Sequence, residues 1–336
     1  MYIIFPIVSF VFLISYRTTR ADFNRKRRIM KRILPVLLLL CFALPQLAFA
    51  GAWTLPKNNV WAEYPFKWNW SNDTYNQDCD RTRQSNGADS WGWSMSPKAE
   101  YGLFDWWTIL GGLEYKEAWY KEYEREPSWG GFSMKNHGLT EVNVGSRIRF
   151  LEKPVVLSGQ VKGIFYTGCE EDKSGGWPSY DDQPGITDRT NALELRGLIA
   201  KKFDTQYPFY YGFECGYRFN QRNIADQIPM FGEFGVWPIN WLLIKTEVDC
   251  MFAAEPPRRK NTLEKSYAVW RIGPVLDFIQ LYDALRGNSK KDSSSMENSV
   301  TRQGKSLTLE VQYGNTFWGK NTSADQEVVM KIATQF

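Results

Sequence analysis

The last ten residues constrain the fold more than any other stretch: Glu327-Val328-Val329-Met330-Lys331-Ile332-Ala333-Thr334-Gln335-Phe336. Side chains alternate across an extended strand, so Val328, Met330, Ile332 and Phe336 share one face, and Glu327, Lys331 and Gln335 the other. An apolar face ending on an aromatic, opposite a face that carries both signs of charge, is the pattern of a closing strand in a bacterial outer-membrane β-barrel. There the apolar face meets lipid and the polar face lines the interior.

The same period-2 pattern recurs in about twelve segments. They lie at 60–70, 91–103, 106–119, 138–151, 154–167, 190–203, 207–219, 227–237, 240–253, 265–280, 303–316 and 325–336. The connections alternate in length. Phe104-Asp105, Glu152-Lys153, Asp204-Thr205-Gln206 and Pro238-Ile239 are short, whereas 71–90, 120–137, 168–189, 220–226 and 254–264 are long. An all-β, up-and-down transmembrane barrel with short periplasmic turns, long outer loops and an even strand count has this arrangement. A secreted soluble β-protein would turn the two faces the other way. Strand length, Trp and Tyr at strand ends, loop parity and Phe336 favour the membrane. Pro65, Pro97, Pro229 and Pro274 stand against it, since each removes a ladder hydrogen bond. The segment 281–302 is long and polar on the side of the short turns, and is expected to follow a brief helix at Ile279–Leu285.

Composition agrees. Mean hydropathy is only −0.43, yet the chain holds 15 Trp, 17 Tyr and 21 Phe, as expected when alternation dilutes hydropathy and aromatic girdles mark both interfaces. The net charge of +4 gives no case for a nucleic-acid partner. Residues 30–50 read as a signal peptide, with a basic start at Lys31-Arg32, an apolar run from Leu34, and Ala48-Phe49-Ala50 as the cleavage site ahead of Gly51. Residues 1–29 precede what reads as the true start at Met30, or else extend the signal. Residues 51–336 form the barrel. Cys41 lies within the apolar run and is not a lipid anchor. Cys79 and Cys169 fall in loops where an exported location permits a disulfide, and Cys215 and Cys250 fall on lipid faces.

Burying Lys or Arg in hydrocarbon at the midplane costs about 2–4 kcal/mol, so the charged faces must point inward. The expected lumen-lining residues are Glu63, Lys67, Lys98, Glu100, Glu114, Lys116, Glu141, Arg147, Arg149, Lys162, Glu194 and Arg196, with Glu214, Arg218, Glu233, Lys245, Glu247, Asp249, Arg271, Asp277, Glu310 and Lys331. The signs are nearly balanced, unlike the single-sign rings of an ion-selective pore. They read either as a constricted path for a small neutral or zwitterionic solute or as ion pairs that fill the interior. A lipid-modifying enzyme needs a Ser–His pair, and the only histidine is His137, near Ser133, Asn136 and Ser146. A solvated His137 and no catalysis is the expectation. The acidic loop Glu170–Asp188 lacks the spacing of a calcium loop, and no metal or cofactor is expected. The alternative is a structural barrel for exopolysaccharide export or adhesion. The expected partners are outer-membrane lipid and lipopolysaccharide, a small-molecule solute, and the barrel-assembly machinery through the strand ending in Phe336.

Ala52-Trp53-Thr54-Leu55-Pro56-Lys57, then Glu100-Tyr101-Gly102-Leu103-Phe104-Asp105-Trp106-Trp107-Thr108-Ile109 and the late Gly319-Lys320-Asn321-Thr322, carry a resemblance. They resemble an outer-membrane barrel family named for the meta-pathway of phenol degradation, and the XagA-like outer-membrane proteins, where the first motif reads A-W-T-x-P-K-G and the second E-Y-G-L-T-D-W-L-T. This chain departs at Asn58, where the family has glycine, and at Phe104, where it has threonine. The resemblance implies a barrel that helps small, often aromatic, molecules across the outer membrane, with no catalytic residues.

Overall fold

In a computed structural model, residues 51–84, 87–122, 132–170, 190–221, 225–254, 264–286 and 306–336 are described, all within one compact unit, Gln46–Phe336. The signal segment, most of the acidic loop and the polar stretch after 286 lie outside them, as do Trp129 and Trp177, which sit beside Gly-Gly pairs.

The chain order is β1 (Val60–Ser71), β2 (Asp73–Tyr75), β3 (Arg81–Arg83), β4 (Asp89–Met95), β5 (Lys98–Phe104), β6 (Trp107–Glu122), β7 (Phe132–Leu151) and β8 (Val156–Glu170). It continues with β9 (Ala192–Phe203), β10 (Phe209–Asn220), β11 (Gln227–Ile239), β12 (Leu242–Ala253), β13 (Ser266–Asp277), α1 (Phe278–Leu285), β14 (Ser306–Lys320), β15 (Thr322–Ser323) and β16 (Gln326–Gln335). Every pairing in the large sheet is antiparallel, and β16 returns to pair with β1, from Trp61↔Gln335 to Trp70↔Gln326. β4 and β5 share one position between β1 and β6. The thirteen segments therefore make a closed twelve-stranded barrel with no free edge.

Apart from the ends of β5 and β7, where the register shifts, the exposed apolar strand residues lie on one parity of each strand. Tyr64 (57%), Phe150 (67%), Val144, Phe165 and Ile332 point outward, and the residues between them are buried or half-buried. A surface so apolar, around an interior holding the charges, belongs in lipid. Cys215 and Cys250 lie on this outer parity. Cys79 is a free thiol, and the side chain of Cys169, the other loop cysteine, lies outside the described residues.

The prolines fall where a ladder is already open. Pro65 faces the break between β4 and β5 at Ser96-Pro97, where the register passes from Phe66↔Met95 to Glu63↔Lys98. Pro229 sits where β10–β11 pairing skips from Cys215↔Met230 to Arg218↔Gln227. Pro274 sits where β13–β14 skips from Ile272↔Tyr313 to Val275↔Glu310. Each missing N–H thus coincides with a pair that the ladder does not make.

Three features differ from the sequence reading. The stretch 71–90, read as a plain loop, contains β2 and β3, which pair with β15 in a separate small sheet. β7 starts earlier than 138, and a bulge between Leu139 and Glu141 changes its parity, so Asn136 and Thr140 are buried while His137 stands opposite Glu117 on β6. The helix after β13 forms as expected, but Asp277 serves as its N-cap, its carboxylate accepting from the backbone N–H of Ile279 and Gln280. Asp277 keeps the inner parity of Arg271 and adds this capping role at the end of β13.

Candidate functional site

Alternation puts the charges on the inner face; what it cannot supply is their partners. Two networks hold most of them. In the first, Glu194, with its side chain fully buried, accepts from Lys162 (3.2 Å), Arg196 (2.7 Å) and Arg218 (2.7 Å), and Arg196 continues to Glu214 at 2.9 Å. In the second, Lys245 meets Glu247 (2.7 Å) and Glu310 (2.8 Å), and Lys331 meets Glu310 (3.1 Å) and Glu247 (3.4 Å). Arg271 joins Glu247, Asp249 and Glu327, and Lys67 reaches Glu327 at 3.7 Å. The second network runs unbroken over β12, β13, β14, β16 and β1, sealing the inner side of the barrel closure.

Smaller groups complete the set. Lys98 pairs with Glu63 at 3.0 Å, and Lys116 with Glu114 at 2.9 Å, where Thr140 also donates. Arg149 pairs with Glu152 at the turn after β7. Glu141 and Glu233 make no ion pair or hydrogen bond among the described residues. Glu327 belongs to the network although the lumen set omitted it; its place on the polar face of the last strand was the available signal.

The feature that periodicity could not reveal is the segment Gly51–Asn59, which enters the barrel instead of leading up to it. The Ala52 carbonyl accepts from Ser158 on β8, and Ala52 is buried against Val156, Leu198 and Ala200, with Trp53 packed on the same cluster. Arg147 on β7 donates through Nη1 to the Trp53 carbonyl at 3.0 Å, while its two terminal nitrogens hold Glu100 at 3.0 and 3.1 Å. The Leu55 N–H donates to Thr108 Oγ1 at 2.8 Å, and the Lys57 N–H to Asp105 Oδ1 at 2.9 Å. A Cβ on Gly102 would overlap the Pro56 and Leu55 carbonyls. At the other end, a Cβ on Gly51 would overlap Glu214 Oε1 on β10. The segment is therefore a strap across the inner wall from the β5–β6 hairpin to β10.

The two motifs that carry the family resemblance are thus the two halves of one contact. Trp53, Thr54, Leu55, Pro56 and Lys57 lie on Glu100 (through Arg147), Gly102, Asp105 and Thr108. The first departure also has a physical reading: Asn58 has φ 66°, the left-handed region that glycine enters freely and that asparagine tolerates better than most residues. At the second, Phe104 stacks on Trp106 and Trp107 at ring distances of 5.6 and 6.1 Å, at the rim beside the turn.

Ser146 accepts from Trp107 Nε1 and lies about 30 Å along β7 from His137 by strand rise, and Asn136 points to the other face.

These features define the fold of an outer-membrane β-barrel. No protein-family model matches the chain, and no curated protein matches it. Among solved structures, the chain is similar to the COG4313 outer membrane channel from Pseudomonas putida F1, with TM-score 0.56 at 9% identity, covering 87% of this chain and 100% of that one. The translocator domain of the autotransporter NalP from Neisseria meningitidis (TM-score 0.41, 6% identity, 94% and 97% covered) and the Pseudomonas putida toluene transporter TodX (0.35, 8%, 84% and 89%) are similar at a level that carries no functional weight.

Proposed function

We propose that this protein is a passive outer-membrane channel for small solutes, kept narrow by the strap and the ion-pair networks around it. The observation that carries this is the strap itself: an irregular segment seated inside a closed barrel by side chains from β5 to β10. Side chains alone fill the interior of an eight-stranded barrel, whereas twelve strands enclose a wider lumen, which the strap narrows. The interior presents the half-buried Trp53, packed on the buried Ala52–Val156–Leu198–Ala200 cluster, beside ladders of both charge signs. This suits a small ring compound bearing a polar group, in line with the aromatic solutes that the phenol meta-pathway resemblance implies. Signal cleavage before Gly51, membership of that family, and delivery by the barrel-assembly machinery through Phe336 belong to the same proposal.

A second reading, an outer surface working in polysaccharide export or adhesion, draws on the small β2–β3–β15 sheet, where Arg81 and Arg83 are exposed. Solute uptake into liposomes separates the two. A channel admits small phenolic and neutral solutes with a sharp size limit, while a scaffold, folded and inserted, admits none.

A further inference from the structure

The inner end of the strap carries an unexplained contact. A Cβ on Gly51 would overlap Glu214 Oε1, so any side chain there would have to displace the carboxylate, with Leu198 on the same side. Glu214 spends only Oε2 on Arg196; its Oε1, the atom against Gly51, makes no hydrogen bond among the described residues. Arg196 in turn is shared with Glu194. One strand further on, Glu233 opposes Gly212 in the ladder, which makes it a diagonal neighbour of Glu214 on the inner face, and it makes no ion pair among the described residues. Glu214 Oε1 and Glu233 thus leave carboxylate oxygens open to a further donor where the strap ends.

We propose that cleavage after Ala50 completes this site. Hydrolysis of the Ala50–Gly51 bond turns a neutral peptide N–H into an α-ammonium group, and that ammonium pairs with Glu214 Oε1 and latches the strap across the lumen. An unprocessed chain offers no charge there. A side chain at position 51 would push the carboxylate out of this place. The latch rests on the reading of the strap as the closing element, and deepens it: closure becomes conditional on processing. A charged hydrogen bond in a partly dry site is worth more than a neutral one, so loss of the latch should be visible as gating.

The test is single-channel recording on refolded barrels of 51–336 with a free Gly51 amine, compared with the same barrel acetylated at that amine, with a 50–336 barrel that keeps Ala50, and with E214Q. Acetylation leaves every side chain in place, so its result does not depend on a variant folding. The latch predicts that acetylation, the extra residue and E214Q each raise the open probability about tenfold, and that acetylating E214Q adds nothing. If acetylated and E214Q barrels gate like the unmodified one while a barrel lacking the strap (58–336) opens, the latch is wrong and the strap survives. If 58–336 stays as closed as 51–336, both fall.

Discussion

At the scale of single residues, the face of each side chain was legible and its partner was not. Alternation alone assigned Lys245 and Glu310 to the interior, but their 2.8 Å contact joins strands 65 residues apart, a separation that no local pattern encodes. Asp277 shows the same limit: its face was legible, but not that a helix starting at the next residue uses its carboxylate as a cap. Glu194 is the position where pairing matters most, since three cations converge on one buried carboxylate. Glu194→Gln leaves them unbalanced and should cost about 3–5 kcal/mol, read as a lower urea midpoint in detergent with lipid. At Asn58 the left-handed backbone makes Asn58→Gly neutral or slightly stabilising, and Asn58→Val costly by about 1–2 kcal/mol. Asp325, just before β16, is pushed up to about 6 by burial, with Lys67 opposing and Glu327 adding to the shift. Its folded pKa lies above the ordinary value, so the stability it contributes is present at low pH and is lost as pH rises through about 6. Asp325→Asn should flatten that slope between pH 4 and 7.

At the scale of elements, the regular parts announce themselves and the irregular ones do not. The strand segments fell within a few residues of their true bounds because lipid on one side and charge on the other enforce the period over each full strand. The strap has no period. Its signal was two short motifs, Ala52–Lys57 and Glu100–Thr108, whose meaning is their mutual contact; sequence shows the motifs but not that they touch. The small sheet of β2, β3 and β15 was missed in the same way, because it joins pieces at opposite ends of the chain. Gly102 tests the strap as a separate element. Gly102→Val should evict Leu55 and Pro56 and expose the strap to protease, while the barrel keeps its heat-modifiable migration on gels. A strap as protected as in the parent protein would show that the docking is not what holds it.

At the scale of the whole molecule, the closed ladder, the apolar exterior and the charged interior describe a barrel whose stability comes from its wall, so that its interior is free to be specialised. The networks on opposite sides of the lumen leave the strap between them as the part that can move without breaking a strand pair. The most direct measurement is the single-channel current of refolded 51–336 against 58–336 in the same planar bilayer. The account predicts small, brief steps from the first and steady steps several times larger from the second. Two folded, inserted barrels with the same current, whether silent or open, would contradict it.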